Sequence, residues 1–303
     1  MTSRRQTLEC MLWAGTGLLW TVSGGIPRSA RAATAQAAET GFMFAQISDS
    51  HIGFSRDPNT DVPATLAAAL DQVKMAKPAF MIHTGDVTHL SKPAEMDVAE
   101  KLITASGIET HYVPGEHDVI DEGAKIFGER FQGRQKPGNP GGLYYSFDQN
   151  GVHFVGLNNV SDLKAGGLGN LGAAQLTWLE ADLKSRAAST PIVVFAHIPL
   201  WTVYQPWGWG TEDGARALEL LKRFGSVTVL NGHIHQIIQK VEGTVAFHTA
   251  RSTAFPQPAP GSAPNPGPMK IDAGRLRSVL GVASVTVVPG NSTLAVINTP
   301  LGA

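Results

Sequence analysis

The chain has 303 residues, 43% of them hydrophobic and 16% charged, with 24 Lys+Arg against 25 Asp+Glu and one cysteine, Cys10. Near-neutral charge with no basic face excludes binding of nucleic acid through phosphate neutralisation. A lone cysteine excludes a disulfide framework or thiolate cluster, so any metal site must use nitrogen and oxygen donors.

In chain order, residues 1–32 carry Ser3-Arg4-Arg5-Gln6-Thr7-Leu8, an apolar stretch from Met11 to Ile26, and Ala30-Arg31-Ala32. That layout predicts a twin-arginine-type signal peptide, cleaved after Ala32, although Thr7 stands where the usual pattern has an aromatic. Glycines 15, 17, 24 and 25 interrupt the apolar stretch and argue against an uncleaved membrane anchor. Cleavage removes Cys10, four arginines and Glu9, leaving 20 Lys+Arg against 24 Asp+Glu, a net charge of −4. The expected mature protein is periplasmic or secreted and has no membrane span; its precursor would meet the twin-arginine export machinery. Residues 33–41 are expected to form a flexible lead-in. Residues 42–303 show no repeat and suit one large domain.

The body alternates strand and helix signals. Phe42–Ile47, Phe80–Thr84 and Thr110–Val113 read as strands, with helices over Pro63–Lys74 and Pro93–Ser106 between them, the βαβαβ rhythm of an α/β sheet. Tyr144–Asp148 and Val152–Asn158 form a predicted hairpin across Gln149-Asn150-Gly151. Gly172–Arg186 is a predicted helix with Leu176, Leu179 and Leu183 on one face. Pro191–Ala196 is a strand, Asp213–Phe224 a helix, and Val227–Leu230 and Val245–His248 are strands. Pro256–Pro268 is too rich in proline for either state and is expected to lie over the surface as an arm. Ser284–Val288 and Thr293–Asn298 close the chain as a hairpin across Pro289–Ser292.

Five strand ends carry metal-ligand residue types. Asp49-Ser50-His51 follows the first strand, Gly85-Asp86 the second, and Gly115-Glu116-His117-Asp118 the third. His197 follows Val193–Ala196, and Gly232-His233-Ile234-His235 follows Val227–Leu230. Each alone has a dull explanation as a cap, turn or surface residue. Together they mark a metal centre, because the carboxyl ends of strands in an α/β sheet are where such sites assemble and residues i and i+2 of extended chain point the same way. Asp86, after a glycine that permits a sharp turn, has two oxygens and can bridge two cations.

These residues resemble the signature of the calcineurin-like metallophosphoesterase family, in the family's order, over about residues 42–250. The resemblance implies a four-layer αββα sandwich of two mixed sheets with a dinuclear metal site at the strand ends. It also implies that Asp49, His51 and His235 hold one metal, that His197 and His233 hold the other, and that Asp86 bridges. Glu116 occupies the place where the family usually has an asparagine ligand to the second metal. The implied activity is hydrolysis of a small-molecule phosphoester.

Two cations roughly 3.5–4 Å apart lower the pKa of a bridging water and neutralise the phosphoryl oxygens, so the expected nucleophile is a metal-bridging hydroxide. His117, held by the carboxylate of Asp118, is placed as general acid for the leaving oxygen, as the family's motif histidine is. Mixed nitrogen and oxygen ligands suit Fe, Mn or Zn. A phosphodiester is favoured, since an ionised Glu116 opposes a dianionic monoester more than a monoanionic diester. The alternatives are a phosphomonoesterase of the same fold or a metal-binding scaffold without turnover, against which the retention of His117 and Asp118 argues.

The remaining histidines, His83, His89, His111, His153 and His248, are assigned to packing and framework roles. Trp201, Tyr204, Trp207 and Trp209 form either a satellite core that pins a long loop or an aromatic wall for substrate. Arg251 is read as a solvated side chain.

Overall fold

Alternation in the strands produces two sheets, each with one face toward helices and the other toward its partner sheet. The computed structural model describes residues 18–23, 26–31, 41–132, 143–288 and 294–302. Arg4, Arg5, the cleavage site at Ala32, the lead-in up to residue 40 and the turn at Pro289–Ser292 lie outside them. The chain divides into two compact units, Met1–Phe42 and Met43–Ala303. In the first, β1 (Leu18–Ser23) and β2 (Ile26–Arg31) pair antiparallel, from Leu18 opposite Arg31 to Ser23 opposite Ile26. No helix among the described residues is long and apolar enough to cross a membrane.

The first sheet of the second unit has five strands. They are β3 (Phe42–Ile47), β4 (Met81–His83), β5 (Thr110–Tyr112), β12 (Gly281–Val287) and β13 (Ala295–Pro300), in the order β13-β12-β3-β4-β5. The other sheet has β6 (Tyr145–Gln149), β7 (Val152–Gly156), β8 (Ile192–Ala196), β9 (Val227–Asn231), β10 (Gln239–Glu242) and β11 (Val245–Thr249), in the order β10-β11-β9-β8-β7-β6. Both are mixed: β3/β4/β5 and β7/β8/β9/β11 run parallel, whereas β12/β13, β6/β7 and β10/β11 are antiparallel.

Helices cover the outer face of each sheet. In α1 (Val62–Ala76) the buried positions Val62, Leu66, Ala69, Leu70 and Val73 recur at helical spacing. The Asp61 carboxylate caps its start by accepting from the Ala64 N–H at 3.1 Å, and Lys77 ends it in a left-handed turn. With Met96, Ala99 and Ile103 of α2 (Pro93–Ala105), these side chains pack on Ala45, Ile47 and Met81 of the first sheet. The second sheet buries Ile192, Val194, Ala196, Val227 and Val229 against Leu176, Leu179 and Leu183 of α4 (Gly172–Lys184) and Ala217 and Leu221 of α5 (Gly214–Leu221). Between the sheets the intervening residues meet: Phe44 and Phe80 stack at 5.1 Å, and Phe154 of β7 meets each edge-on at 5.3 Å. Each such buried ring is worth about 1.5–3 kcal/mol by transfer from water. Helices, sheet, sheet and helices make the expected four-layer αββα sandwich.

Besides β1 and β2, which were not predicted as strands, one strand and two α-helices among the described residues escaped the sequence. The edge strand β10 is exposed at every residue and shows no alternation, and α3 (Gly123–Phe127) and α6 (Leu276–Val279) are too short for a periodic signal. The proline-rich arm forms no helix or strand, as expected, and is surface chain from Ala259 to Ser262; its first residues are different, with Pro256 and Pro258 buried. Arg251 donates to the carbonyl of Ser278 at 3.1 Å. His153 is enclosed between Asp148 (2.9 Å) and Asp182 (2.7 Å).

Candidate metal centre

Register brings the strand ends level. Ile47 pairs with His83 and His83 with Tyr112 in the first sheet, and Ala196 pairs with Asn231 in the second. The residues just beyond, Asp49, Asp86, Glu116, His197 and His233, therefore emerge on one edge of the sandwich. The turns that carry them are unusual. Asp49, His51, Asp86, His233 and His235 all have left-handed backbone, with φ of 53°, 42°, 53°, 70° and 52°. Left-handed residues that are not glycine cost of order 1–3 kcal/mol each and persist where surrounding structure over-determines them, which is typical of functional sites. A Cβ on Gly85 (φ 96°) would lie 2.5 Å from His197 Nδ1, and one on Gly115 would lie 2.0 Å from Asp86 Oδ1. Both motif glycines thus allow the ligand turns to touch.

Two overlapping groups form. In one, His235 Nε2 is 3.3 Å from Asp49 Oδ1 and 3.2 Å from His51 Nε2. In the other, Glu116 places Oε2 2.9 Å from His197 Nε2 and Oε1 3.0 Å from His233 Nδ1. Asp86 lies between them: its Oδ1 accepts from the His117 backbone N–H at 3.0 Å, while Oδ2 is 3.5 Å from His51 Nε2 and 3.3 Å from His197 Nε2. Asp49, His51 and His235, and likewise Glu116, His197 and His233, offer ligand atoms within 4.8 Å of one another.

The donor set fits two cations. Ring nitrogens that face away from the centre are already engaged: His197 Nδ1–H donates to the Thr84 carbonyl at 2.7 Å and His235 Nδ1–H to the Phe255 carbonyl at 2.6 Å. Their Nε2 lone pairs are thereby directed inward, the arrangement that metal-ligating histidines require. His197 Nε2, Glu116 Oε2 and both ring nitrogens of His233 are buried with no hydrogen-bond partner despite their close approaches. Buried polar atoms left in this way are costly unless an ion satisfies them.

The electrostatics agree. Burial raises the Asp49 carboxyl, but His235 and then His197 outweigh it and hold it at about 2. Burial also opposes ionisation of Glu116, yet His233 and His197 draw it well below the ordinary range. Burial lowers His197, but Asp86 and Glu116 raise it well above its usual value. For His51 burial dominates, with His235, His117 and His89 adding to it, and the ring is kept neutral.

One expectation is corrected. Asp118 does not hold the His117 ring; its carboxylate accepts from the N–H groups of Val87 (3.0 Å), Thr88 (2.8 Å) and Gly115 (3.0 Å) and from the Thr88 hydroxyl (2.9 Å). Asp118 sits on a one-turn 3₁₀ segment, Glu116–Asp118, and closes its N-terminus, so its side chain turns back to the backbone. The ring of His117 instead gives its Nδ1–H to the carbonyl of His89 at 2.7 Å. Burial works against protonation of His117, but Asp86 and Glu116 raise its pKa above the usual value.

Sequence reasoning missed four supports. His83 bonds Ser50 at 2.8 Å, beneath the Asp49–His51 turn. The Phe255 ring stacks on His51 at 4.7 Å while its carbonyl fixes His235, and Gln257 donates to the His233 carbonyl at 3.2 Å. His89 contacts both His51 and His117. Nothing local marked Phe255 or Gln257, but the placement of His89 three residues after Asp86 was a usable signal. In the aromatic loop Trp209 is fully buried, Trp207 packs on it edge-on at 5.1 Å and Tyr204 on Trp207 at 5.2 Å, the packing of a satellite core.

The model of the calcineurin-like phosphoesterases matches residues 42–237. The protein belongs to that family and is a metal-dependent hydrolase of phosphoric ester bonds. Among its relatives, a 3′,5′-cyclic-nucleotide phosphodiesterase of Nostoc is 25% identical over 220 residues, 70% of this chain and 78% of the relative. A glycerophosphodiester phosphodiesterase of Enterobacter lignolyticus is 29% identical over 207 residues, 64% and 71% of the two chains. In fold, the chain is similar to a dimetal phosphatase from Danio rerio, with TM-score 0.66, 14% identity, and coverage of 86% of this chain and 96% of that one.

Proposed function

We propose that the protein is an exported phosphodiesterase with two metal ions, held by Asp49, His51 and His235 on one side and Glu116, His197 and His233 on the other, with Asp86 between them. The ions would be Fe, Mn or Zn, which suit this nitrogen and oxygen donor set. When bound, such a pair supplies Lewis-acid activation of water and neutralises the phosphoryl oxygens. The chain's own residues do the rest. His117, its Nδ1–H held by the carbonyl of His89, keeps a proton at Nε2 for the leaving oxygen. Asp118 fixes the loop that presents it.

The observation that carries the diester preference is the Glu116 carboxylate, set across His197 and His233 and kept ionised by them. At about 4 Å and an effective dielectric near 20, one added unit of substrate charge costs on the order of 4 kcal/mol before the cations offset it. A dianionic monoester carries that added charge and a diester does not. The two phosphodiesterase relatives support the same reading. The test is kcat/KM for an aryl diester and an aryl monoester with the native metal present. Glu116→Asn should raise the monoester-to-diester ratio and loosen the second metal; an unchanged ratio with both metals bound would remove the preference.

Export is supported by Arg4-Arg5, the apolar stretch from Met11 and the small residues around Ala32. Amino-terminal sequencing of protein recovered outside the cytoplasm should begin at Ala33, and recovery of the uncut chain from the cytoplasm alone would refute it.

A further inference from the structure

His89 is half-buried beside the metal centre. Its ring Nδ1 lies 3.3 Å from Nδ1 of His51, and its backbone carbonyl accepts the Nδ1–H of His117 at 2.7 Å. The ring is nearly parallel to that of His117, with centroids 4.9 Å apart and 15° between planes, and meets Phe54 edge-on at 5.3 Å. Two independent contacts thus run from one residue, one to a metal ligand and one to the proton donor.

We propose that His89 is a positioning residue that sets the tautomer and tilt of the ligand His51 through its ring while its carbonyl sets those of His117. His51 turns its Nε2 toward His235 and Asp86. A ligand at Nε2 needs its lone pair there, which puts the ring proton on Nδ1. Ligating histidines give that second N–H to an acceptor that fixes their orientation and raises their basicity, and loss of the acceptor typically costs 10–100-fold in metal affinity. The acceptor here is His89 Nδ1, so His89 carries its own proton on Nε2. No carboxylate is used, and the centre gains orientation without a further negative charge near the phosphate. Because the acceptor for His51 and the acceptor for His117 belong to the same residue, a shift of this short segment alters metal binding and proton delivery together.

The proposal rests on the two-metal reading above. Its test is the affinity of the full chain for Zn²⁺, by chelator competition, in wild type, His89→Phe and His89→Asn. Phenylalanine keeps the ring face and removes the nitrogen, whereas asparagine restores an acceptor at the Nδ1 position. The expected result is a loss of about 10–100-fold for one Zn²⁺ in the phenylalanine variant, with near wild-type affinity in the asparagine variant. Wild-type affinity in His89→Phe, or an equal loss in both variants, overturns the role of His89 and leaves the metal centre standing; a wild type that binds no Zn²⁺ overturns both. Long-range ¹H–¹⁵N correlation on the Zn²⁺-loaded wild type reads the tautomer whether or not the variants fold: a proton on Nε2 of His89 is expected, and a proton on Nδ1 overturns the proposal.

Discussion

His117 Nδ1 lies 2.7 Å from the carbonyl oxygen of His89, and it is this main-chain contact, not a carboxylate, that orients the ring of the proposed general acid. A carbonyl cannot ionise, so the orientation of His117 does not depend on the protonation of its partner. His117→Ala should keep both metals and lower kcat by about 10²–10⁴, least for substrates with good leaving groups. A series of aryl diesters with graded leaving groups checks this, and equal losses across the series would remove His117 from the role.

Asp118→Asn should behave differently. The carboxylate collects four donors from the Val87–Thr88 and Gly115 segments, and an amide presents one oxygen acceptor in place of two. Burial and the nearby Asp86 raise the Asp118 carboxyl to about 7, so loss of one or two such buried bonds is worth about 0.5–1.5 kcal/mol each. The melting temperature should fall, with turnover reduced by a similar factor for good and poor leaving groups. A steep leaving-group dependence without loss of stability would mean that Asp118 acts through the His117 ring after all.

Asp86→Asn should weaken both metals together, since its Oδ2 stands between His51 and His197, whereas Asp49→Asn should mainly empty the site shared with His51 and His235. Elemental analysis of the two variants separates these cases. One fully occupied and one empty site in the Asp86 variant would contradict its intermediate position.

Far from the centre, Asp182 gives a pH signature. Burial pushes its carboxyl up, but the hydrogen bonds from His153 and Ser146 outweigh this and hold the pKa below the usual value. A group depressed in the folded state contributes stability that is fully present above its unfolded pKa, about 3.9, and is lost as pH falls through the folded value. Thermal melts of wild type and Asp182→Asn should therefore differ above about pH 4 and converge as the solution is acidified below it. A gap that persists at the lowest pH would show that packing, not ionisation, is its source.

That these candidate ligands converge was readable because short polar clusters stand at the ends of apolar strands. Gly85-Asp86 and Gly232-His233 stand out against Met81–His83 and Val227–Asn231 in composition alone. The direction of a side chain leaving a tight turn was not readable. His117 and Asp118 are adjacent in sequence, yet one faces the centre and the other the backbone behind it. Nor could sequence spacing link His51 to Phe255, 204 positions later, whose ring packs on it only because the chain after β11 returns across the sandwich. The aromatic loop was ambiguous for a related reason, since a tryptophan that closes a satellite core and one that lines a substrate wall have the same local pattern.

The left-handed backbone at His51, His233 and His235 also bears on how this protein responds to selection for heat resistance. Glycine relieves a left-handed site by about 1–2 kcal/mol, less the roughly 0.5–1 kcal/mol that its extra freedom in the unfolded chain can take back. A library ranked on the melting point of metal-free protein would thus favour glycine at His233, whose ring nitrogens have no hydrogen-bond partner, but not at His51 or His235, where glycine would also empty a buried ring site against Phe255. Ranked with the cations present, the same library would discard that variant if His233 is the ligand proposed above, because glycine cannot supply the binding free energy of its imidazole. Thermostable descendants of this enzyme should keep or lose activity according to which of the two screens selected them.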